Sequence, residues 1–114
     1  MFKERIEEIE LNITQAKAIV DRGAALERLR NNRDFKKVVL EGYFEKEAIR
    51  LVHLKSDFNM QSAESQANIL DQINAIGALS GYFNTVRHQG MLAEKAILSD
   101  EETRDELLAE GIEE

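Results

Sequence analysis

The sequence predicts an all-α protein, an antiparallel helical bundle or hairpin. It would have a coiled-coil-like N-terminal helix and a long helix in the C-terminal half. Three observations carry this. None of the 114 residues is proline, so no helix interior loses a backbone donor. Apolar residues recur at three- and four-residue steps in the long segments. No stretch alternates apolar and polar residues for long enough to argue a strand.

Taken in order, the first element is a heptad seam. Phe2, Ile6, Ile9, Ile13, Ala16 and Val20 are spaced 4, 3, 4, 3, 4. Ile6, Ile13 and Val20 take a-type positions, and Phe2, Ile9 and Ala16 take d-type positions. Such a seam packs either on its own domain or on another chain. Gly23 falls where the next d residue belongs and predicts a break, with a short helix over 24–30. Asn31-Asn32-Arg33-Asp34 reads as a turn with Asp34 as N-cap. A helix over 35–41 would end at Gly42 as its C′ residue. The next helix, over 45–55, would turn Ala48, Leu51, Val52 and Leu54 inward. Residues 56–61 read as a loop.

Ser62 then opens the longest element, expected over 63–98. Ile69, Ile73, Ile76, Leu79, Phe83, Val86, Ala93 and Ile97 mark its apolar stripe, and Gly90 fills one seam position. Ser99-Asp100-Glu101-Glu102 has the form of a capping box, with Ser99 at N-cap and Glu102 at N3. It predicts a separate terminal helix carrying Leu107 and Leu108. The expected organisation is an N-terminal coiled-coil-like helix over 1–22, a helical body over 24–98, and an acidic helix or tail over 99–114.

Charge is polarised along this chain. Residues 100–114 hold eight acidic residues and one basic one, and so carry the whole net charge of −7. Residues 22–37 are the counterpoint. They hold Arg22, Arg28, Arg30, Arg33, Lys36 and Lys37 against Glu27 and Asp34. Basic clusters can hold phosphates. Here the global charge opposes a polyanion, and Phe35 is the one aromatic in the stretch, expected in the core. Nucleic acid is therefore not the expected partner. A solvated face, or a dock for the acidic stretch across a subunit boundary, fits better. Mimicry of DNA by the acidic end is a further reading, but eight carboxylates at a terminus are few for it.

Gly77 and Gly81 lie four apart inside the long helix. Each costs about 1 kcal/mol of helix propensity relative to Ala. Close approach of another helix, from the same or another subunit, would offset that cost, with Tyr82 and Phe83 framing the contact.

Composition excludes much else. There is no cysteine, so disulfides, thiolate metal sites and Cys nucleophiles are out. His53 and His88 have no ligand-like spacing, and no phosphate loop or metalloprotease helix is present. No catalytic, cofactor or metal site is expected. No run of apolar residues is long enough to span a membrane. Met1-Phe2-Lys3-Glu4-Arg5-Ile6-Glu7-Glu8 is too charged for a signal peptide, so a cytoplasmic product is expected.

One resemblance adds to this. The continuous run from Ala25-Leu26-Glu27-Arg28-Leu29-Arg30 through Asn31-Asn32-Arg33-Asp34-Phe35-Lys36-Lys37-Val38-Val39-Leu40-Glu41 and Gly42-Tyr43-Phe44-Glu45-Lys46-Glu47 to Ala48-Ile49-Arg50-Leu51 carries the first part of it. Ile73-Asn74-Ala75-Ile76-Gly77-Ala78-Leu79-Ser80-Gly81-Tyr82-Phe83 and Gly90-Met91-Leu92-Ala93-Glu94 carry the second. Over 24–110 the chain resembles small acidic helical proteins encoded near the portal and capsid genes of tailed bacteriophages. That resemblance implies a non-enzymatic structural or morphogenesis protein, head-assembly or portal-associated, with no catalytic residues to transfer. Its partners would be itself, as a homo-oligomer, and other virion proteins. Its place would be the host cytoplasm during assembly, or the virion. The alternative is a phage regulatory protein that binds a host protein or a nucleic-acid-handling enzyme. The interaction residues nominated by sequence are Phe2, Ile6, Ile9, Ile13, Ala16, Val20, Gly77, Gly81, Arg28, Arg30 and Arg33.

Overall fold

The structure is a computed structural model and describes residues 2–113, with the side chains of residues 2–111. The heptad segment forms one unbroken helix, α1 (Phe2–Arg30). Glu4 in its first turn and Arg28 and Arg30 in its last turn complement the helix dipole. The expected break at Gly23 is absent. No described glycine has positive φ, so none acts as a left-handed helix stop.

A second helical run follows. In α2 (Arg33–Phe35), the Asn32 side chain accepts the Phe35 N–H at 3.0 Å, so Asn32 is the cap and the expected cap at Asp34 is corrected. The chain passes directly into a π-helix (Lys36–Glu47) and then α3 (Ala48–Lys55). Gly42 therefore lies inside a helix rather than after one. A Cβ at Gly42 would stand 3.0 Å from the Lys37 carbonyl oxygen, so the wider turn favours a residue without one. In α3, Leu51 is fully buried and Ala48 and Leu54 are half-buried, but Val52 is exposed, against expectation.

The connection to the last helix is tied by side chains. Asp57 accepts the Asn59 N–H and caps a 3₁₀ turn (Phe58–Met60). The Gln66 amide donates to the Lys55 and Met60 carbonyls at 2.9 and 2.7 Å. The Ser62 hydroxyl accepts the Ser65 N–H at 3.1 Å and starts α4 (Ala63–Glu113). This helix has 51 residues and does not stop at Leu98. Ser99 lies within it, its carbonyl taking a hydrogen bond from the Thr103 hydroxyl at 3.0 Å. A capping-box pattern starts a helix only where the preceding backbone leaves helical angles, and here it does not. The fold is all-α, and no strand occurs among the described residues.

The chain divides into two compact units. One comprises Met1–Leu26 with Val86–Glu114. Its core is Ile9, Ile13 and Ile97, with Ala16, Val20 and Leu107 packed against them. α1 and α4 meet here in one antiparallel register, read from two glycine contacts. A Cβ at Gly23 would lie 3.6 Å from the Cα of Gly90, and the reverse distance is also 3.6 Å. At the other end Gly111 lies against the Phe2 ring. The paired positions are twenty-one residues apart on both helices.

The other unit is Glu27–Thr85. Leu51, Ile69 and Ile76 form its core, with Tyr43, Phe44, Ala48, Leu54, Met60 and Ile73 around them. Phe83 gathers a set of rings, with Phe44 at 5.7 Å and Phe35 at 5.9 Å between centroids. Both separations lie in the favourable range for tilted and edge-on aromatic pairs. Among the described residues no helix is long and apolar enough to cross a membrane.

Candidate interaction surfaces

The N-terminal seam is an internal surface. Ile9 and Ile13 are buried against Ile97, and Ala16 and Val20 pack on the same cluster. Ile6 is half-buried, and the ring of Phe2 covers Gly111. The structure thus fills with its own α4 the seam that sequence left open to its own domain or to another chain. Heptad spacing specifies an apolar stripe, and an antiparallel helix of the same chain covers it as well as a second chain would.

Gly77 and Gly81 lie on the opposite side of the question. Both are exposed, and a Cβ built on either meets nothing within 4 Å. The intrachain version of their expected close contact is corrected: the close glycine pair of this protein is Gly23 with Gly90. From Gln72 to Thr85, α4 bears no charged residue. In a chain with 32% charged residues, fourteen successive uncharged positions, nine of them exposed, are unusual. The exposed members include Asn74, Gly77, Gly81 and Asn84, at steps of 3, 4 and 3. That spacing puts them on one helix face.

The basic stretch is divided by the fold. Arg28 is exposed and Arg30 half-buried at the end of α1, and neither lines a hollow with the rest. Arg33 does. With Lys36, Lys37 and Lys46 it surrounds an open hollow of about 440 Å³, alongside Asn31 and Glu41. Among the described residues none of these four cations is in an ion pair. Sequence reasoning missed Lys46. On an α-helix Lys37 and Lys46 would be about 2.5 turns apart and face opposite ways. The wider turns of the π-helix make nine residues about two full turns, which returns Lys46 to the side of Lys37.

The acidic stretch is mostly helical surface. Glu102, Asp105, Glu106 and Glu110 are exposed on the last turns of α4, while Leu107 turns into the core of its unit and Leu108 is exposed. Asp105 accepts a hydrogen bond from Arg104 at 3.3 Å. His53 and His88 are both exposed, and no group of acidic or histidine side chains among the described residues could hold a metal ion.

No protein-family model, no curated protein and no solved structure matches this chain.

Proposed function

We propose that this chain is a non-enzymatic bacteriophage structural or morphogenesis protein, associated with head assembly or the portal, that works through helix–helix contacts. The phage setting rests on the sequence resemblance over 24–110. The contact mode rests on one observation, the uncharged exposed face of α4 with Gly77 and Gly81 in open space. Two glycines in one exposed helix face cost stability and return none within the chain. A second copy of the chain would recover it. Asn74 and Asn84, and Gly77 and Gly81, are disposed symmetrically about Leu79. An antiparallel pair of α4 helices would therefore set each asparagine against an asparagine and each glycine against a glycine. Small residues let two helix axes approach to about 8 Å, the close end of the packing range.

The test is a pair of variants, Gly77→Leu and Gly81→Leu, studied by light scattering and thermal melting. Space around both positions predicts unchanged or slightly higher melting temperature with loss of the self-associated mass. Retention of that mass would remove this face from the proposal. For the biological setting, the protein is sought in purified mature particles and in empty precursors. Presence in mature particles supports a structural part, and presence in precursors alone supports a scaffold. Absence from both favours the regulatory binder.

A further inference from the structure

We infer that the hollow beside the π-helix is a dock for the acidic last turns of α4 from a second copy, so that copies can join head to tail. The hollow offers Arg33, Lys36, Lys37 and Lys46 against the single carboxylate of Glu41. The four cations are exposed and uncompensated by ion pairs among the described residues. The occupant is defined by complementary charge and shape. Glu102, Glu106 and Glu110 follow one another at four-residue steps, which forms a ridge of carboxylates about 12 Å long on one helix face. Glu110 lies in the last turn at the negative end of the α4 dipole, and no basic residue of that turn offsets it. Cations from a neighbour would relieve both the mutual repulsion of the carboxylates and the conflict of Glu110 with the dipole.

Hollow and ridge are different surfaces of the same chain, so the contact is heterologous. An open chain of any length keeps one free hollow and one free ridge, and growth closes only if the rotation per copy forms a ring. All the charges are exposed, so the contact is weak and strongly screened. This inference does not depend on the glycine face, which uses other residues and no charges.

Sedimentation of the full-length protein tests it, at about 0.1 M and about 1 M salt, where the screening length falls from about 10 to about 3 Å. The expected result is a mass that grows with concentration at low salt and not at high salt. Two variants are made, Lys37→Glu with Lys46→Glu, and Glu102→Lys with Glu106→Lys. All four positions are exposed, and circular dichroism checks that helix content is kept. Each variant alone should lose the salt-dependent growth, with association weakened about tenfold or more by like charges facing each other. An equal mixture of the two should restore it, because the reversed hollow and reversed ridge are again complementary. Growth that survives at high salt, survives in either variant, or fails to return in the mixture overturns the inference, as does wild-type protein that never grows at low salt. A gel shift with duplex DNA that the hollow reversal abolishes would assign the hollow to phosphates instead. A discrete mass that persists at high salt and is lost in Gly81→Leu leaves the glycine face standing whatever happens here. Salt-dependent growth without such a mass leaves the head-to-tail contact standing alone.

Discussion

Gly23 and Gly90 show how one residue type serves two ends in this chain. Each has the other's Cα at 3.6 Å from where its own Cβ would stand, which is ordinary contact distance. Gly23→Ala or Gly90→Ala alone should therefore be tolerated and gain up to about 1 kcal/mol of helix propensity. The two together should be less stable than the sum of the singles, because both new methyls enter one gap. Gly90→Leu should cost about 1–3 kcal/mol by overpacking. Denaturant unfolding of the four proteins checks this, and strict additivity would mean that α1 and α4 part easily. The same substitutions at Gly77 and Gly81 meet open space and should not lower stability. Leu51 is the opposite case, with 0% of its surface exposed amid Ile69 and Ile76. Leu51→Ala should cost about 2–5 kcal/mol, read as a lower denaturant midpoint with unchanged slope.

At the scale of elements, α4 contains most of what distinguishes this protein. Its buried positions Ile76 and Val86 are ten apart, three more than one heptad. That is one extra three-residue step in an otherwise regular seam, and it shifts the phase of the apolar stripe. The shift falls next to the place where the contacts divide, between Thr85 and Val86. Ile69 and Ile76 thus serve one core and Ile97 the other. The last turns of α4 are a packed element as well as a charged one, since Leu107 packs on Ile9, Ile13 and Ile97. Truncation after Leu98 should leave a folded protein that melts at a lower temperature. Loss of the half-buried Leu107 and of the Phe2–Gly111 contact is about 1–3 kcal/mol, and each kcal/mol shifts the midpoint of a chain this size by about 4 °C. A scanning calorimetry trace unchanged by truncation would reduce the stretch to a charged handle.

For the whole molecule, the charge map and the packing map do not coincide. The acidic stretch and the N-terminal seam share one unit, while the hollow and the uncharged α4 face belong to the other. The two contacts proposed with a second copy thus draw on residues of different kinds. Salt acts on the charged pair of surfaces and not on the uncharged face. Association measured against salt and against Gly81→Leu therefore separates the two proposed contacts.

What the sequence determined by itself was local. Proline-free segments with three-four spacing specify helices and the side of each helix that is apolar, because backbone geometry sets that periodicity. Ile9, Ile13, Leu51, Ile69, Ile76 and Ile97 were legible as core for that reason. The polarised charge and the absence of thiol chemistry were equally plain. The tertiary structure decided what covers each face. Burial of apolar surface is non-directional, so the spacing of Phe2 to Val20 could not say whether α4 or another chain fills the seam. It decided that Gly23 is a point of close approach and Gly77 an open one, since the same residue suits both. It also decided that Lys46 joins Arg33, Lys36 and Lys37, because a change of hydrogen-bond register from α to π re-aims side chains that the helical period of 3.6 would send to opposite faces.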